Sequence, residues 1–170
     1  MAKILFINPS KWGRGITPIW IASHSAILRS KNHHVNLFDA TFYKDWSIDE
    51  LSYNTSNNQY MPSLYSNYIK VNEGNIINDL QERVDEFQPD IIFWSAISSH
   101  IHGEGEYVNI QYGYELIDQL DTNSLIITGG LQVTAKTKEI FIHYPKADYL
   151  IGGESELVLC KIAEKFPKID

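Results

Sequence analysis

Leu125-Ile126-Ile127-Thr128-Gly129-Gly130-Leu131-Gln132-Val133-Thr134 is the stretch that decides the fold. An apolar run without polar alternation stops at paired glycines and passes into a polar, helix-compatible segment. Such a run reads as a strand buried on both faces, as in a parallel sheet covered by helices. The glycines then make a tight strand-to-helix turn. Lacking a Cβ, Gly129 and Gly130 also let a ligand come close to the main chain. A lone Gly-Gly does not separate a shaped turn from a binding turn, so the other strand ends have to decide.

Working outward, Ile4 to Ile7 forms a short apolar run ended by Asn8-Pro9-Ser10, a strand followed by a turn. Thr17 and Pro18 suit a helix start, and Ile16, Trp20, Ala22, Ala26, Ile27 and Leu28 recur at near-helical spacing. His33 to Asp39 alternates more, as a strand nearer an edge does. Its adjacent histidines, His33 and His34, point to opposite faces, which argues against joint metal binding. Helical period returns in Ile76, Ile77, Leu80, Val84 and Phe87 and closes at Gln88-Pro89. Asp90 to Ser95 is the third strand, Val108, Tyr112, Leu116, Ile117 and Leu120 the next helical stripe, and Val133, Thr137, Ile140 and Phe141 the one after the opening stretch. Ala147 to Ile151 is a fifth strand, Gly152-Gly153 a turn, and Glu154 to Phe166 a last helix whose first-turn glutamates suit the helix dipole. This alternation predicts an α/β fold: a three-layer, doubly wound, five-stranded parallel sheet of flavodoxin-like or Rossmann-like type.

The 170 residues suit one domain, 1–170, with a substantial core. Residues 40 to 70 break the pattern: Tyr53, Asn54, Tyr60, Tyr65 and Tyr68 among them make an aromatic, Asn-rich stretch that reads as an ordered insertion or lid. Basic residues number 14 against 21 acidic, net −7, with no basic run, which disfavours nucleic acid and anionic membranes as partners. Met1-Ala2-Lys3 leads into an apolar run too short for a signal peptide, and no stretch approaches a membrane span, so the expected location is cytoplasmic. Cys160, the single cysteine, excludes an internal disulfide or a cysteine-held cluster and reads as a small buried apolar residue.

In doubly wound folds ligands bind outside the carboxyl ends of the strands, where the strand order reverses. Here those ends are Asn8 to Gly15, Ser95 to Gly105, Thr128 to Thr134 and Gly152 to Glu154, where most of the glycines and several hydroxyl residues collect. The familiar phosphate motifs are missing. Trp12-Gly13-Arg14-Gly15-Ile16-Thr17-Pro18 lacks the third glycine of a dinucleotide fingerprint, and there is no Walker loop. A phospho-acceptor receiver needs acidic residues where this chain has Asn8-Pro9 and Trp94-Ser95.

In their order these blocks resemble a family. Asn8-Pro9, Gly15 to Pro18 leading to Ile21-Ala22, His34-Val35 with Phe38-Asp39-Ala40, Pro89-Asp90-Ile91-Ile92, Thr128 to Thr134, and Ala147-Asp148-Tyr149-Leu150-Ile151-Gly152-Gly153-Glu154-Ser155-Glu156 are similar to the cobalamin-binding domain that precedes the radical S-adenosylmethionine domain in many enzymes. Gly152 and Ser155 depart slightly from the family's Gly-Glu-Gly-Glu turn. The resemblance covers the chain outside the 40 to 70 insertion.

The resemblance implies cobalamin as cofactor, its nucleotide tail threaded into the carboxyl edge between the third and fourth strands. Ser95, Ser98 and Ser99 would supply hydroxyls, Gly129, Gly130, Leu131 and Thr134 close main-chain contact, and Gly152, Gly153 and Glu154 the base pocket. Asn8, Pro9, Trp12 and Gly15 would face the corrin. The Asp-x-His-x-x-Gly motif of histidine-ligated cobalamin domains is missing, and the resemblance implies base-off binding without that histidine. S-adenosylmethionine and a [4Fe-4S] cluster would belong to a catalytic domain outside this chain, a C-terminal radical S-adenosylmethionine partner. The chain is then either part of a longer enzyme or a stand-alone binding domain, and is not expected to be catalytic alone.

His100-Ile101-His102-Gly103-Glu104-Gly105-Glu106 brings imidazoles and carboxylates to the predicted ligand face, where zinc, iron, manganese or a corrin cobalt at His100 are candidates. Its glycines and helix-start glutamates make a solvated loop the expected reading. The alternative class for the whole chain is a flavodoxin-like regulatory or interaction domain, taking flavin, a nucleotide or no ligand. A small enzyme built on the His/Glu cluster lacks a clear nucleophile or base pair.

Overall fold

On β1 (Lys3–Asn8) every residue after Lys3 is buried, and on β3 (Ile91–Ser95) every residue is. Runs of this kind can only lie between two layers, since a strand turns alternate residues to opposite faces. A computed structural model describes residues 1–11, 18–47, 70–95, 106–131 and 142–167, with backbone alone for 106–109 and 131. Its strands are completed by β2 (His34–Asp39), β4 (Leu125–Leu131) and β5 (Tyr149–Gly152). They form one parallel sheet in the order β2-β1-β3-β4-β5. The half-buried β2 is an edge strand, as its alternation predicts.

The period of two separates the core into two layers. Leu5, Ile7, Ile92, Trp94 and Ile126 face α2 (Ile76–Phe87) and α3 (Glu106–Ile117). Ile4, Phe6, Ile91, Phe93 and Ile127 face α1 (Ile19–Ser30) and α4 (Glu156–Lys165). The chain leaves β1 toward β2, then crosses back over β1 to reach β3. Crossovers of one hand therefore put α1 on the opposite face from α2 and α3. The fold is the three-layer α/β arrangement expected from the sequence.

Local signals account for the helices. Ile76, Leu80 and Val84 recur every fourth residue as the buried stripe of α2. Asn75 caps it, its side chain accepting the Asn78 N–H at 3.0 Å, and Gln88 ends it in the left-handed region at φ 49. α1 departs from its predicted stripe: Trp20, Ile21, His24 and Leu28 are buried, whereas Ala22 and Ala26 are exposed. Alanine tolerates either side of a helix, and the polar His24 enters the core because both ring nitrogens find partners there.

The amino edge of the sheet is stitched by aspartates. Asp90 Oδ2 accepts the Lys3 N–H at 2.7 Å, and Asp148 Oδ2 accepts the Ile126 N–H at 2.7 Å. These two aspartates, prominent in the sequence blocks quoted above, thus satisfy strand-end amides far from the carboxyl edge. His33 sits at the same end, buried, its Nδ1 accepting the Ala2 N–H at 3.0 Å, while His34 is exposed. The opposed histidines follow the strand period.

The stretch entering the predicted insertion packs onto the sheet. Ala40, Thr41 and Tyr43 are buried, Tyr43 stacks on Phe38 at 5.6 Å, and a parallel bridge joins Tyr43 to Asn72. Burial and the hydroxyl's 3.0 Å bond to Asp79 push the Tyr43 phenol up to about 12. Residues 48–69 of that insertion and the helical stripe predicted from Val133 to Phe141 lie outside the described residues. Cys160 is buried against α1, and burial raises its thiol pKa, in keeping with a small apolar role. Among the described residues no helix is long and apolar enough to cross a membrane.

Candidate functional site

The carboxyl edge opens between β1 and β3. Their pairing runs from Ile4 opposite Ile91 to Phe6 opposite Phe93 and stops, although β1 continues to Asn8 and β3 to Ser95. Every other neighbouring pair is still paired nearer its end: Asn8 opposite Asp39, Ser95 opposite Gly129, and, after a shift of register, Leu131 opposite Gly152. The early parting falls where the strand order reverses, the place at which doubly wound sheets admit ligands.

The β1 lip is braced from the β2 side. Asn8 is buried, and its Nδ2 donates to Asp39 Oδ1 at 2.9 Å and to Thr41 Oγ1 at 3.2 Å. Pro9 is also buried, and its carbonyl accepts the Trp46 indole N–H at 3.3 Å. Lys11 then folds back over the Trp46 ring, 3.9 Å from its centroid, and over Tyr112 at 4.6 Å, with its ammonium 2.6 Å from Glu115. Cation–π contacts with an ion pair fasten the turn after β1 to α3. Sequence reasoning did not find this group. Tyr112 and Glu115 share a helix face at i, i+3, but their meeting with Lys11 and Trp46 is long-range and leaves no local signal.

On the other lip Ser95 is fully buried opposite Gly129. Thr128 is buried too, its hydroxyl donating to the Trp94 carbonyl at 3.2 Å. A methyl on Gly129 would lie 2.7 Å from Phe93 Cζ and 2.7 Å from Ser155 Oγ. The space beside that glycine is therefore filled by the protein's own side chains. Beyond it the β4–β5 register shifts between Thr128 and Leu131, Gly130 takes φ 71, and Gly153 takes φ 75. Bulges of this kind re-aim backbone groups at sheet edges and beside functional sites. Gly152 and Glu154 are exposed there, and Gly153 is half-buried.

Ser155 carries the link to α1. His24 Nε2 lies 2.8 Å from Ser155 Oγ, and His24 Nδ1 lies 2.7 Å from the Trp20 carbonyl. Burial lowers the His24 pKa from its usual value, opposed by the Trp20 carbonyl and by Glu156. With Glu156 3.9 Å from the imidazole, the three residues have the parts of a nucleophilic triad. Yet His24 is 1% and Ser155 2% exposed, so no substrate reaches the hydroxyl. His24 did not stand out in the sequence, and Ser155 did so only as a departure from the family's turn.

Of the sequence-predicted site residues, Asn8, Pro9, Ser95, Gly129, Gly130, Gly152, Gly153 and Glu154 are at the carboxyl edge, as is the backbone of Leu131. Trp12, Gly15, Ser98, Ser99, His100 and Thr134 lie outside the described residues, as do His102 and Glu104. Among the described residues no group of His, Cys, Asp and Glu could hold a metal ion.

No protein-family model and no curated protein matches this chain. Solved structures do. The chain is similar to the radical S-adenosylmethionine methyltransferase TsrM from Kitasatospora setae with tryptophan substrate and a SAM analogue bound, at 15% identity and TM-score 0.64, covering 99% of this chain and 26% of that one. A second TsrM structure, with cobalamin and a [4Fe-4S] cluster bound, matches at 16% identity and TM-score 0.63 over 98% of this chain and 25% of that one. The cobalamin-dependent S-adenosylmethionine radical enzyme OxsB, without ligands, matches at 18% identity and TM-score 0.53 over 99% and 19%. The chain thus spans about a quarter or less of the length of these enzymes, and shares the fold of that part.

Proposed function

We propose that this chain is a cobalamin-binding domain, the N-terminal part of a radical S-adenosylmethionine enzyme that transfers a methyl group or rearranges its substrate. The observation that carries the reading is the early parting of β1 and β3 at the reversal of strand order, in a fold shared with cobalamin-dependent enzymes. When bound, cobalamin supplies a cobalt centre able to carry a transferable methyl group. The residues present fit such a guest: the strands part at the edge, and main chain beside the parting is re-aimed by the β4 bulge.

In this reading residues 1–170 act as one domain. Pro9, Trp12 and Gly15 face the corrin, and Asn8 braces the end of β1 by its bonds to Asp39 and Thr41. The nucleotide tail enters beside Ser95, Ser98 and Ser99, and main chain at Gly130, Leu131 and Thr134 follows it. Gly152, Gly153 and Glu154 line the base pocket. Gly129 contributes by letting Ser155 and Phe93 close behind the crevice. With its nucleotide tail threaded into the sheet the cofactor would be held base-off, without the histidine of the Asp-x-His-x-x-Gly motif that this chain lacks. S-adenosylmethionine and the [4Fe-4S] cluster belong to a separate C-terminal domain.

Titration of the purified chain with hydroxocobalamin, followed by desalting, tests this. Stoichiometric retained corrin with a base-off spectrum is expected. The strand order 2-1-3-4-5 is also that of flavodoxins, with flavin at the same crevice. Retention of flavin mononucleotide in place of corrin would assign the chain to that second class, and retention of neither, with unchanged melting in both, would overturn a cofactor role.

A further inference from the structure

Two helices and the sheet they cover converge on one imidazole. His24 of α1 is packed against the rings of Phe6 on β1 and Phe93 on β3, with centroids at 6.2 and 5.1 Å, and against Trp20 at 5.7 Å. A carbonyl oxygen only accepts, so the 2.7 Å contact with Trp20 puts the ring hydrogen on Nδ1. Nε2 is then a bare acceptor, and the Ser155 O–H donates to it at 2.8 Å. Ser155 stands at the N-terminus of α4, directly after the Gly152–Glu154 turn, yet its side chain makes no capping bond to that helix. Its hydroxyl is committed to His24 instead, in a space that exists because Gly129 lacks a Cβ.

We propose that His24 is a positioning residue: through the Ser155 hydroxyl it sets where the Gly152–Ser155 turn stands at the carboxyl edge, and couples that turn to the protonation of one buried imidazole. The ligand consequence rests on the cobalamin reading above, because that turn lines the proposed base pocket.

Protonation would place a second ring hydrogen on Nε2, aimed at the hydrogen Ser155 already points at it. The hydroxyl must rotate to accept, and its own proton must find another acceptor in a site closed by Phe93 and the Gly129 backbone. The turn that carries Ser155 has to move. The charged group facing the imidazole is Glu156 from α4, 3.9 Å from Nδ1 and itself bonded by the Ser23 hydroxyl at 3.1 Å; β1 and β3 present only rings. Burial is the larger influence and lowers the imidazole pKa below its usual 6.5. A depressed folded-state pKa means that the neutral form is the one the fold favours. Its contribution is complete above about 6.5 and is lost as the pH falls through the folded value. His33, also lowered by burial, lies at the amino edge and does not touch this turn.

Amide and imidazole resonances followed by NMR from pH 8 to pH 4, with no ligand present, test the coupling. In the wild type the Gly152 and Gly153 amides should titrate with the His24 imidazole. In Ser155→Ala the imidazole should still titrate while those amides no longer follow it. In His24→Gln, whose side-chain oxygen can accept the Ser155 hydroxyl without titrating, the amides should keep their neutral-pH positions throughout. Glycine amides that ignore His24 in the wild type, or that follow it unchanged in Ser155→Ala, would overturn the proposal. With hydroxocobalamin, Ser155→Ala should weaken binding by about fivefold, the worth of one hydrogen bond, and His24→Gln should not. Equal affinity of wild type and Ser155→Ala would overturn the ligand consequence. Failure of the wild type to retain corrin would overturn the cobalamin reading, and the glycine amides would still decide the positioning.

Discussion

Gly113→Ala should destabilise the protein by about 2 kcal/mol or more, the cost of forcing a methyl into a filled core. The helix α3 crosses β3 so closely that a Cβ on Gly113 would lie 2.3 Å from both Cδ1 and Nε1 of Trp94. Trp94 is fully buried between Leu5, Ile7 and the helix layer, so the indole has no free space to retreat into. Alanine gains roughly 1 kcal/mol over glycine in a helix, which offsets only part of the clash. Urea unfolding would read the difference. The double variant Trp94→Phe/Gly113→Ala should recover part of the loss, since the smaller ring frees the contested volume. A Gly113→Ala protein as stable as the wild type would show that α3 does not approach β3 this closely.

Gly129→Ala should both destabilise the fold, by roughly 1–3 kcal/mol, and abolish retention of the corrin. The added methyl would meet Phe93 Cζ and Cε2 at 2.7 and 2.8 Å and Ser155 Oγ at 2.7 Å. Phe93 is held in a cluster of rings with Phe6, Trp20 and His24, so the serine side is the softer one. Displacing Ser155 breaks its bond to His24 and shifts the Gly152–Glu154 turn, which is why the ligand effect should exceed that of a mere loss of stability. Melting by circular dichroism separates the two, because a variant still folded at 20 °C but unable to retain corrin isolates the local effect. A folded Gly129→Ala that retains corrin normally would remove the turn from the site.

The strands were readable because the central ones are buried on both faces, and that demand leaves an unbroken apolar run in Ile4 to Ile7, Ile91 to Trp94 and Leu125 to Ile127. The edge position of β2 was readable from its alternation for the same reason. What failed was the inner face of α1. Alanines at 22 and 26 carry too little side chain to declare a side, and a histidine in a core is legible only once its two partners are known. Gly129 shows a subtler limit. Its smallness was readable, but not whether a ligand or a neighbouring side chain uses the space, since Phe93 and Ser155 reach it from distant points of the chain. Asp90 and Asp148 likewise belong to amino-edge amides, a role that depends on strand register. The Lys11, Trp46, Tyr112 and Glu115 group exists only through tertiary structure.

A cleft of about 430 Å³ at the amino edge, lined by Leu120, Ser124, Lys146, Asp148 and Phe166 among others, competes as a binding place with the parting of β1 and β3. Mapping amide shifts on addition of hydroxocobalamin decides between them, and is the most direct test of the account. Shifts should concentrate at Asp39 to Thr41, Ser95, Gly129, Gly130 and Gly152 to Glu154, leaving Ala2, His33, Ser124 and Asp148 in place. Shifts centred on the amino-edge cleft, or none at saturating corrin, would contradict it.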